Sequence, residues 1–219
     1  MSWWARRAPV ELGDRPTSYP SPVVETRRLG TETSETRAAL LDATEQLMLD
    51  SGYAAVSSRR VAALADVRPA LVHYYFRTMD DLFLATFRRR AEQGLVLQQR
   101  ALQSHQPLWA LWEMSRDPRG TVLTMEFAAL ANHRPAIRDE IAAVAERLRA
   151  QQVEVLTGVL EQHGITVDEC PPVVAAVLIA GISVLLALEQ GSLGMATGHT
   201  ETIAYVEGFL RRLEGERRS

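Results

Sequence analysis

The chain has 219 residues and a mass of 24.3 kDa, and 47% of its residues are hydrophobic, which excludes wholesale disorder. A single cysteine excludes a disulfide framework and a cysteine-rich zinc site. The net charge is -3, but it is unevenly distributed, because residues 52–90 hold seven arginines against three aspartates. This window is therefore the candidate region for contact with an anionic partner.

Residues 1–33 differ in composition from the rest of the chain. They contain four of the ten prolines and show no helical periodicity, so we expect a flexible arm. No apolar stretch of signal-peptide length follows Arg6 and Arg7. The longest apolar run, 173–188, is shorter than the ~20 residues that a membrane span needs, and we expect a buried helix in a cytoplasmic protein.

After residue 34, apolar residues recur at helical spacing. A first helix ends at Ser51-Gly52, Ser57 is a natural N-cap for a second, short helix, and Pro69 opens a third. Thr78 caps a long fourth helix that runs to about residue 106. Further stretches with helical period lie at 108–114, 122–131, 137–160, 173–188 and 203–213. The sequence therefore predicts an all-α fold of roughly nine helices.

The second and third helices have the geometry of a helix-turn-helix, in which a protruding helix enters a DNA groove. Their apolar residues are spaced to form a small core with the first and fourth helices: Val61, Leu64, Val67, Val72 and Phe76 with Leu40, Leu47 and Leu82. The other face of the third helix is aromatic and cationic, with little acidic character. Such a face is unusual on an exposed helix, but it suits a major groove.

Each residue type on that face matches a feature of DNA. Arg68 can reach guanine N7 and O6 or a phosphate, and Ala70 and Leu71 can meet thymine methyl groups. The hydroxyls of Tyr74 and Tyr75 suit phosphate oxygens, although one of these tyrosines can instead close the small core. The N-terminus of the second helix offers free amides for a second phosphate contact. The predicted DNA-contacting residues are Ser57, Ser58, Arg59, Arg68, Pro69, Ala70, Leu71, His73, Tyr74, Tyr75, Arg77 and Thr78.

These residues resemble the DNA-binding domain of the tetracycline-repressor (TetR) family. The resemblance runs from about residue 37 to residue 82 and is carried by Leu40–Ala43, Gly52-Tyr53, Arg59–Ala62, Val67, Leu71–Phe76 and Asp80–Leu82. It implies a homodimeric, ligand-responsive transcriptional regulator, most often a repressor, that binds a palindromic operator. Two positions depart from the family pattern. Asp66 stands where a glycine is common in the turn, and Met79 stands where a lysine often begins the fourth helix.

The apolar helix at 173–188 and the last helix predict a dimer interface of two helices from each subunit. Small residues on one face of the former permit close approach of a second chain. The predicted interface residues are Ala176, Ala180, Gly181, Ser183, Ala187, Val206, Phe209 and Leu210. The alternative is a core helix that packs only within its own chain.

The segment from Trp109 to His133 combines bulky apolar residues with a few polar groups, a mixture that suits a ligand pocket and equally suits an ordinary core. The candidate pocket residues are Trp109, Trp112, Met125, Glu126, Phe127 and His133. The scattered histidines lack metal-ligand spacing, and no nucleophile elbow or phosphate-binding glycine loop occurs. We therefore expect no metal, no cofactor and no catalytic residues.

The sequence thus divides into an arm (1–33), a helix-turn-helix head (34–82) and a helical ligand-binding and dimerisation body (83–219). The expected partners are double-stranded DNA with a palindromic operator, a small apolar effector ligand and a second copy of the chain, but no membrane. The alternative is a helical ligand-binding or scaffold protein with a weak or decayed head, which Met79 and the net charge of -3 suggest.

Overall fold

The computed structural model describes residues 35–218, with the side chains of Ala136 and Ser192 excepted, so the predicted arm lies outside the described residues. Within this range the chain is all-α and forms nine α-helices. They are α1 (Glu35–Ser51), α2 (Ser58–Leu64), α3 (Pro69–Tyr75), α4 (Met79–Leu102), α5 (Pro107–Ser115), α6 (Pro118–His133), α7 (Pro135–Gln162), α8 (Pro172–Leu188) and α9 (His199–Glu214). A 3₁₀ turn (Tyr53–Ala55) precedes α2, and a π-helical segment (Glu189–Leu193) extends α8.

The head has its own apolar core, built largely as the sequence predicts. The buried members are Leu40, Leu41, Ala43, Leu47, Val61, Ala62, Val72, Phe76 and Leu82. The prediction for Leu64 is wrong, because its side chain is 50% exposed. At 3.6 residues per turn, Val61, Ala62 and Ala65 form the inward face of α2, and Leu64 lies beyond the edge of that face.

The predicted helix caps are confirmed. Ser57 accepts a hydrogen bond from the Arg60 amide, and Thr78 forms a capping box with Asp81 at the start of α4. The predicted end of α4 near residue 106 is wrong, because the helix stops at Leu102. The four residues before Pro107 form a turn instead, since the residue before a proline is disfavoured in the helical conformation. The helix is therefore about 36 Å long at 1.5 Å per residue.

The head and the body share a second apolar core. Met48 of α1 and Phe83 of α4 pack there with Leu123, Phe127 and Leu130 of α6 and with Ile137 of α7. Because α6 contributes half of these buried side chains, the orientation of the head depends on how α6 packs.

A third core lies within the body, around Trp109 and Trp112 of α5, Leu156 of α7 and Ala176 of α8. The prediction of α8 as a buried helix is wrong for one of its faces, where Val177 and Leu178 are more than half exposed. By length and composition alone α8 could cross a membrane, but a single such helix is weak support for a span. The exposed apolar face of α8 therefore calls for a partner that buries it.

The turn between α2 and α3 tolerates the departure at Asp66. Asp66 adopts a left-handed backbone (φ 52°), and the Val67 amide bonds to the Ala62 carbonyl at 2.9 Å. With the Asp66 amide on the Ala63 carbonyl, this is the Schellman pattern, which usually ends on glycine. Aspartate is one of the few other residues that adopt this backbone readily.

We predict that Asp66→Val lowers the free energy of unfolding by about 1–2 kcal/mol, because a β-branched residue is strained at positive φ. Asp66→Asn is the matched control and should change it by less than about 0.5 kcal/mol. Urea denaturation at fixed protein concentration measures both values. Equal stability of the Val and Asn variants would contradict the role assigned to this turn.

Candidate nucleic-acid interface

The helix α3 carries six of the twelve residues predicted to contact DNA. Pro69 is the first residue of the helix, and Arg68 is its N-cap, with an extended backbone. Arg68, Ala70, Leu71 and His73 are exposed, whereas Val72 is buried in the head core. The helix is therefore held by one apolar side and presents a cationic and apolar face to solvent.

The two tyrosines of α3 are half-buried rather than fully exposed. Tyr75 packs against the head core, which is the alternative that the sequence left open for one of the pair. The Tyr74 ring lies edge-on to the Tyr75 ring with their centroids 5.1 Å apart. The position of Tyr74 on α3 is thus supported by its neighbour, which in turn rests on the core.

The N-terminus of α2, which follows the 3₁₀ turn, is accessible to solvent. Ser57 and Arg59 are exposed and Ser58 is half-buried. The first amides of a helix have no acceptor within the helix, so this end is suited to a phosphate oxygen.

The start of α4 explains the missing family lysine. Met79 is half-buried and packs against both the head core and the core shared with the body. A lysine here would have to extend its charge out of two apolar clusters. The neighbouring Arg77 and Thr78 are exposed, so a cation remains at this end of the helix-turn-helix.

The three arginines at 88–90 all form ion pairs with neighbouring helices or their caps. Arg89 bridges Asp42 and Glu45 of α1, and Arg90 pairs with Asp117, the N-cap of α6. Arg88 donates to Glu140 at 2.8 Å, and this hydrogen bond and charge hold the pKa of the Glu140 carboxyl below its ordinary value. These arginines fasten α4 to its neighbours.

The structure does not bring the six candidate pocket residues together. Trp109 and Trp112 are buried in the body core, whereas Phe127 is buried in the core shared with the head. Met125 is half-buried on α6. Glu126 and His133 face the head, since Glu126 accepts a hydrogen bond from the Tyr53 amide and the His133 ring stacks on the Tyr53 ring. The sequence missed this contact because the two segments are 73 residues apart.

A cavity of about 440 Å³ lies between α5, α9 and the chain after α9. Trp109 and Trp112 line it together with Glu113, Arg116, Glu207, Arg211, Glu216 and Arg217. The Arg116 guanidinium lies 5.4 Å from the centre of the Trp112 ring, so the two side chains form a cation–π contact. The lining is more charged than the apolar pocket that the sequence predicts.

The predicted dimer residues do not all lie on one surface. Ala176, Ser183 and Leu210 are buried in their own chain, and Val206 packs against the body core. The small residues let α8 approach its own domain, where the Ser183 hydroxyl bonds to that of Ser115 at 2.8 Å.

The remaining predicted dimer residues are less buried. Ala180 and Ala187 are half-buried, and Gly181 and Phe209 are exposed. The exposed face of α8 is formed instead by larger residues, namely Val173, Val174, Val177, Leu178 and Leu185.

Comparison with known proteins identifies the head. The family described as "Bacterial regulatory proteins, tetR family" matches residues 40–86. The HTH-type transcriptional regulator BetI of Rhizobium meliloti (strain 1021) is 25% identical over 186 residues, which cover 80% of this chain and 89% of that protein.

Solved structures extend the similarity to the body. A member of the TetR family from Streptomyces coelicolor A3 is 26% identical, with a TM-score of 0.59, and covers 82% of this chain and 98% of that one. A transcriptional regulator from Saccharomonospora viridis, in complex with choline, is 19% identical and has a TM-score of 0.65 over 84% of this chain and 99% of its own. Residues 40–86 therefore form a helix-turn-helix domain of the tetR type, and over most of its length the chain is similar to transcriptional regulators of the TetR family.

Proposed function

We propose that the chain is a homodimeric regulator that binds a palindromic operator through α3 and leaves it when a small ligand binds the body, with repression as its output. The observation that carries this proposal is the exposed face of α3, with the exposed Arg68 at its N-cap, inside the segment that matches the family. On this proposal the protein acts in the cytoplasm and has no catalytic residues.

The proposed contacts divide into two kinds. Arg68, Ala70, Leu71 and His73 are exposed on or beside α3, and we assign them to base edges in the major groove. We assign the phosphate contacts, which fix the register of α3 on the duplex, to the two helix termini and to the tyrosines. They are Ser57, Ser58, Arg59, Tyr74, Tyr75, Arg77 and Thr78, whereas Pro69, which has no N–H to donate, is assigned an apolar contact with the DNA.

The proposed dimer uses the exposed faces of α8 and α9. Leu178 is 55% exposed and Tyr205 is 76% exposed, and Phe209 lies one turn beyond Tyr205 on α9. Exposed apolar surface of this extent is uncommon on a monomer and favours a partner. A second copy also answers a functional need, because one short helix reads too few base pairs.

The proposed ligand site is the cavity over Trp109 and Trp112. A small cation would bind there by displacing the Arg116 guanidinium from the Trp112 ring, and Glu113, Glu207 and Glu216 would supply negative charge beside Arg211 and Arg217. This chemistry differs from the apolar ligand expected from the sequence. The alternative function, a scaffold with a decayed head, was suggested by Met79 and by the net charge of -3, and the packing of Met79 against two apolar cores accounts for the first of these.

We predict that Arg68→Ala weakens binding to the operator about 10- to 100-fold and relaxes the preference at one base pair, because a base-edge contact is lost. Tyr74→Ala should also abolish tight binding while the dimer stays folded. Arg59→Ala should weaken all duplexes alike and lower the salt dependence by about one phosphate contact. Fluorescence anisotropy on a duplex selected from a random library measures these effects.

Arg147→Ala is the control for the loss of one positive charge, because Arg147 is exposed on α7, far along the chain from α3. Its binding should equal that of the wild type. Unchanged affinity of both the Arg68 and the Tyr74 variants would refute the assignment of α3 as the reading helix.

We predict that Leu178→Arg raises the dissociation constant of the dimer at least about a hundredfold. The reason is that a two-fold interface would bury two unpaired charges, one from each subunit. Light scattering after size exclusion measures the mass. Val96→Arg is the matched control, since Val96 is 46% exposed on α4, and it should leave the mass unchanged. A Leu178→Arg variant that keeps the wild-type mass would contradict the proposed interface.

We predict that choline, as a probe cation, binds the body and weakens DNA binding, typically by about 1–3 kcal/mol of coupling between the two sites. Titration calorimetry of the wild type and of Glu216→Gln measures binding, and the variant should bind more weakly. No heat of binding at millimolar choline would contradict the assignment of a cationic ligand to this cavity.

A further inference from the structure

The segment that joins α1 to the helix-turn-helix is held from two sides. From α2, Arg60 donates to the Ala55 carbonyl at 3.0 Å and to the Ser51 hydroxyl at 3.2 Å. From α6, Glu126 accepts the Tyr53 amide at 2.6 Å. The chain therefore enters the helix-turn-helix through a turn that is bonded to the head and to the body at once.

The Tyr53 amide requires an acceptor from elsewhere, because it begins a 3₁₀ turn and the first amides of a helix have no partner within it. Gly52 makes the close approach possible. It has a positive φ of 76°, and a Cβ added there would lie 3.3 Å from Glu126 Oε2. The turn is thus shaped to receive this carboxylate.

The same face of α6 makes a second contact with the turn. His133 lies seven residues after Glu126, two helical turns along, and its ring stacks on the Tyr53 ring with centroids 6.4 Å apart. Between them Leu130 is buried in the core shared by head and body. Apolar packing holds the head against the body but has no preferred direction. A hydrogen bond to a backbone amide is directional, so the Glu126 bond can set the angle between them.

We infer that Glu126 is a positioning residue that fixes the angle of the head on the body through the Tyr53 amide. The inference rests on the proposed function, because two heads must present α3 at a fixed separation to bind both halves of a palindrome. Loss of the acceptor leaves the α3 surface intact but frees its orientation. Binding to the full operator then weakens, while binding of one head to an isolated half-site does not.

The test compares Glu126→Ala with Glu126→Gln, whose side-chain oxygen can still accept the amide. Three measurements are made: hydrogen–deuterium exchange of the peptide that contains Tyr53, the thermal midpoint, and affinity for the selected operator and for its half-site. In the Ala variant the exchange rate of the peptide that contains Tyr53 should rise about tenfold or more. Its affinity for the operator should fall about tenfold, while its affinity for the half-site should not change. The Gln variant should restore both.

Glu146→Ala is the control for the lost negative charge, since Glu146 is exposed on α7 and makes none of the ion pairs within residues 35–218. Wild-type exchange and affinity in Glu126→Ala would overturn the inference. An equal loss on operator and half-site, with exchange raised throughout α1–α3, would also overturn it, because it indicates an unfolded head. Failure of the unmutated protein to bind any duplex would instead refute the proposed function, and the positioning role with it.

Discussion

The packing of α6 against α1 and α4 is the constraint on which the rest of the structure depends. Half of the buried side chains in the core shared by head and body come from α6, and the helix is fastened at both ends. Asp117 at its first end pairs with Arg90, and Arg134 just past its last end pairs with Asp80 and lies over the Phe83 ring. A change in the body that moves α6 therefore moves the head as well.

The distribution of charge explains how a chain with a net charge of -3 can bind DNA. Several arginines of α4 and of the body are neutralised in ion pairs, such as Arg88 with Glu140 and Arg116 with Glu207. Arg59, Arg68 and Arg77 of the head are exposed and make none of the ion pairs found among the described residues. Their charge is left for a polyanion, and the local field near α3 matters more than the net charge.

Local signals predicted the head well. The helix caps at Ser57 and Thr78, the left-handed Asp66 and most of the head core follow from spacing and residue type within 50 residues of chain. The exception, Leu64, shows that one apolar residue on a two-turn helix can fall outside the inward face. Periodicity fixes which residues share a face, but not where that face ends.

Contacts between distant segments were not predictable in the same way. Small residues on α8 suggested close approach of a second chain, but Ala176 and Ser183 are buried by neighbours in the same chain. Glu126 fitted a pocket by composition, yet it bonds to a backbone amide, which has no signature in the sequence. Gly52 is the one local signal for the close approach of the Glu126 carboxylate to the turn. It can be interpreted in this way only when the position of α6 is known.

Selection of bound duplexes from a random library by the wild-type protein tests the central claim most directly. The account predicts enrichment of an inverted repeat whose half-site centres are one helical turn, ~34–36 Å, or a multiple of it apart, with loss of enrichment for the Arg68→Ala protein. A library that shows no enriched sequence, or an enriched sequence without two-fold symmetry that both proteins select equally, would contradict it.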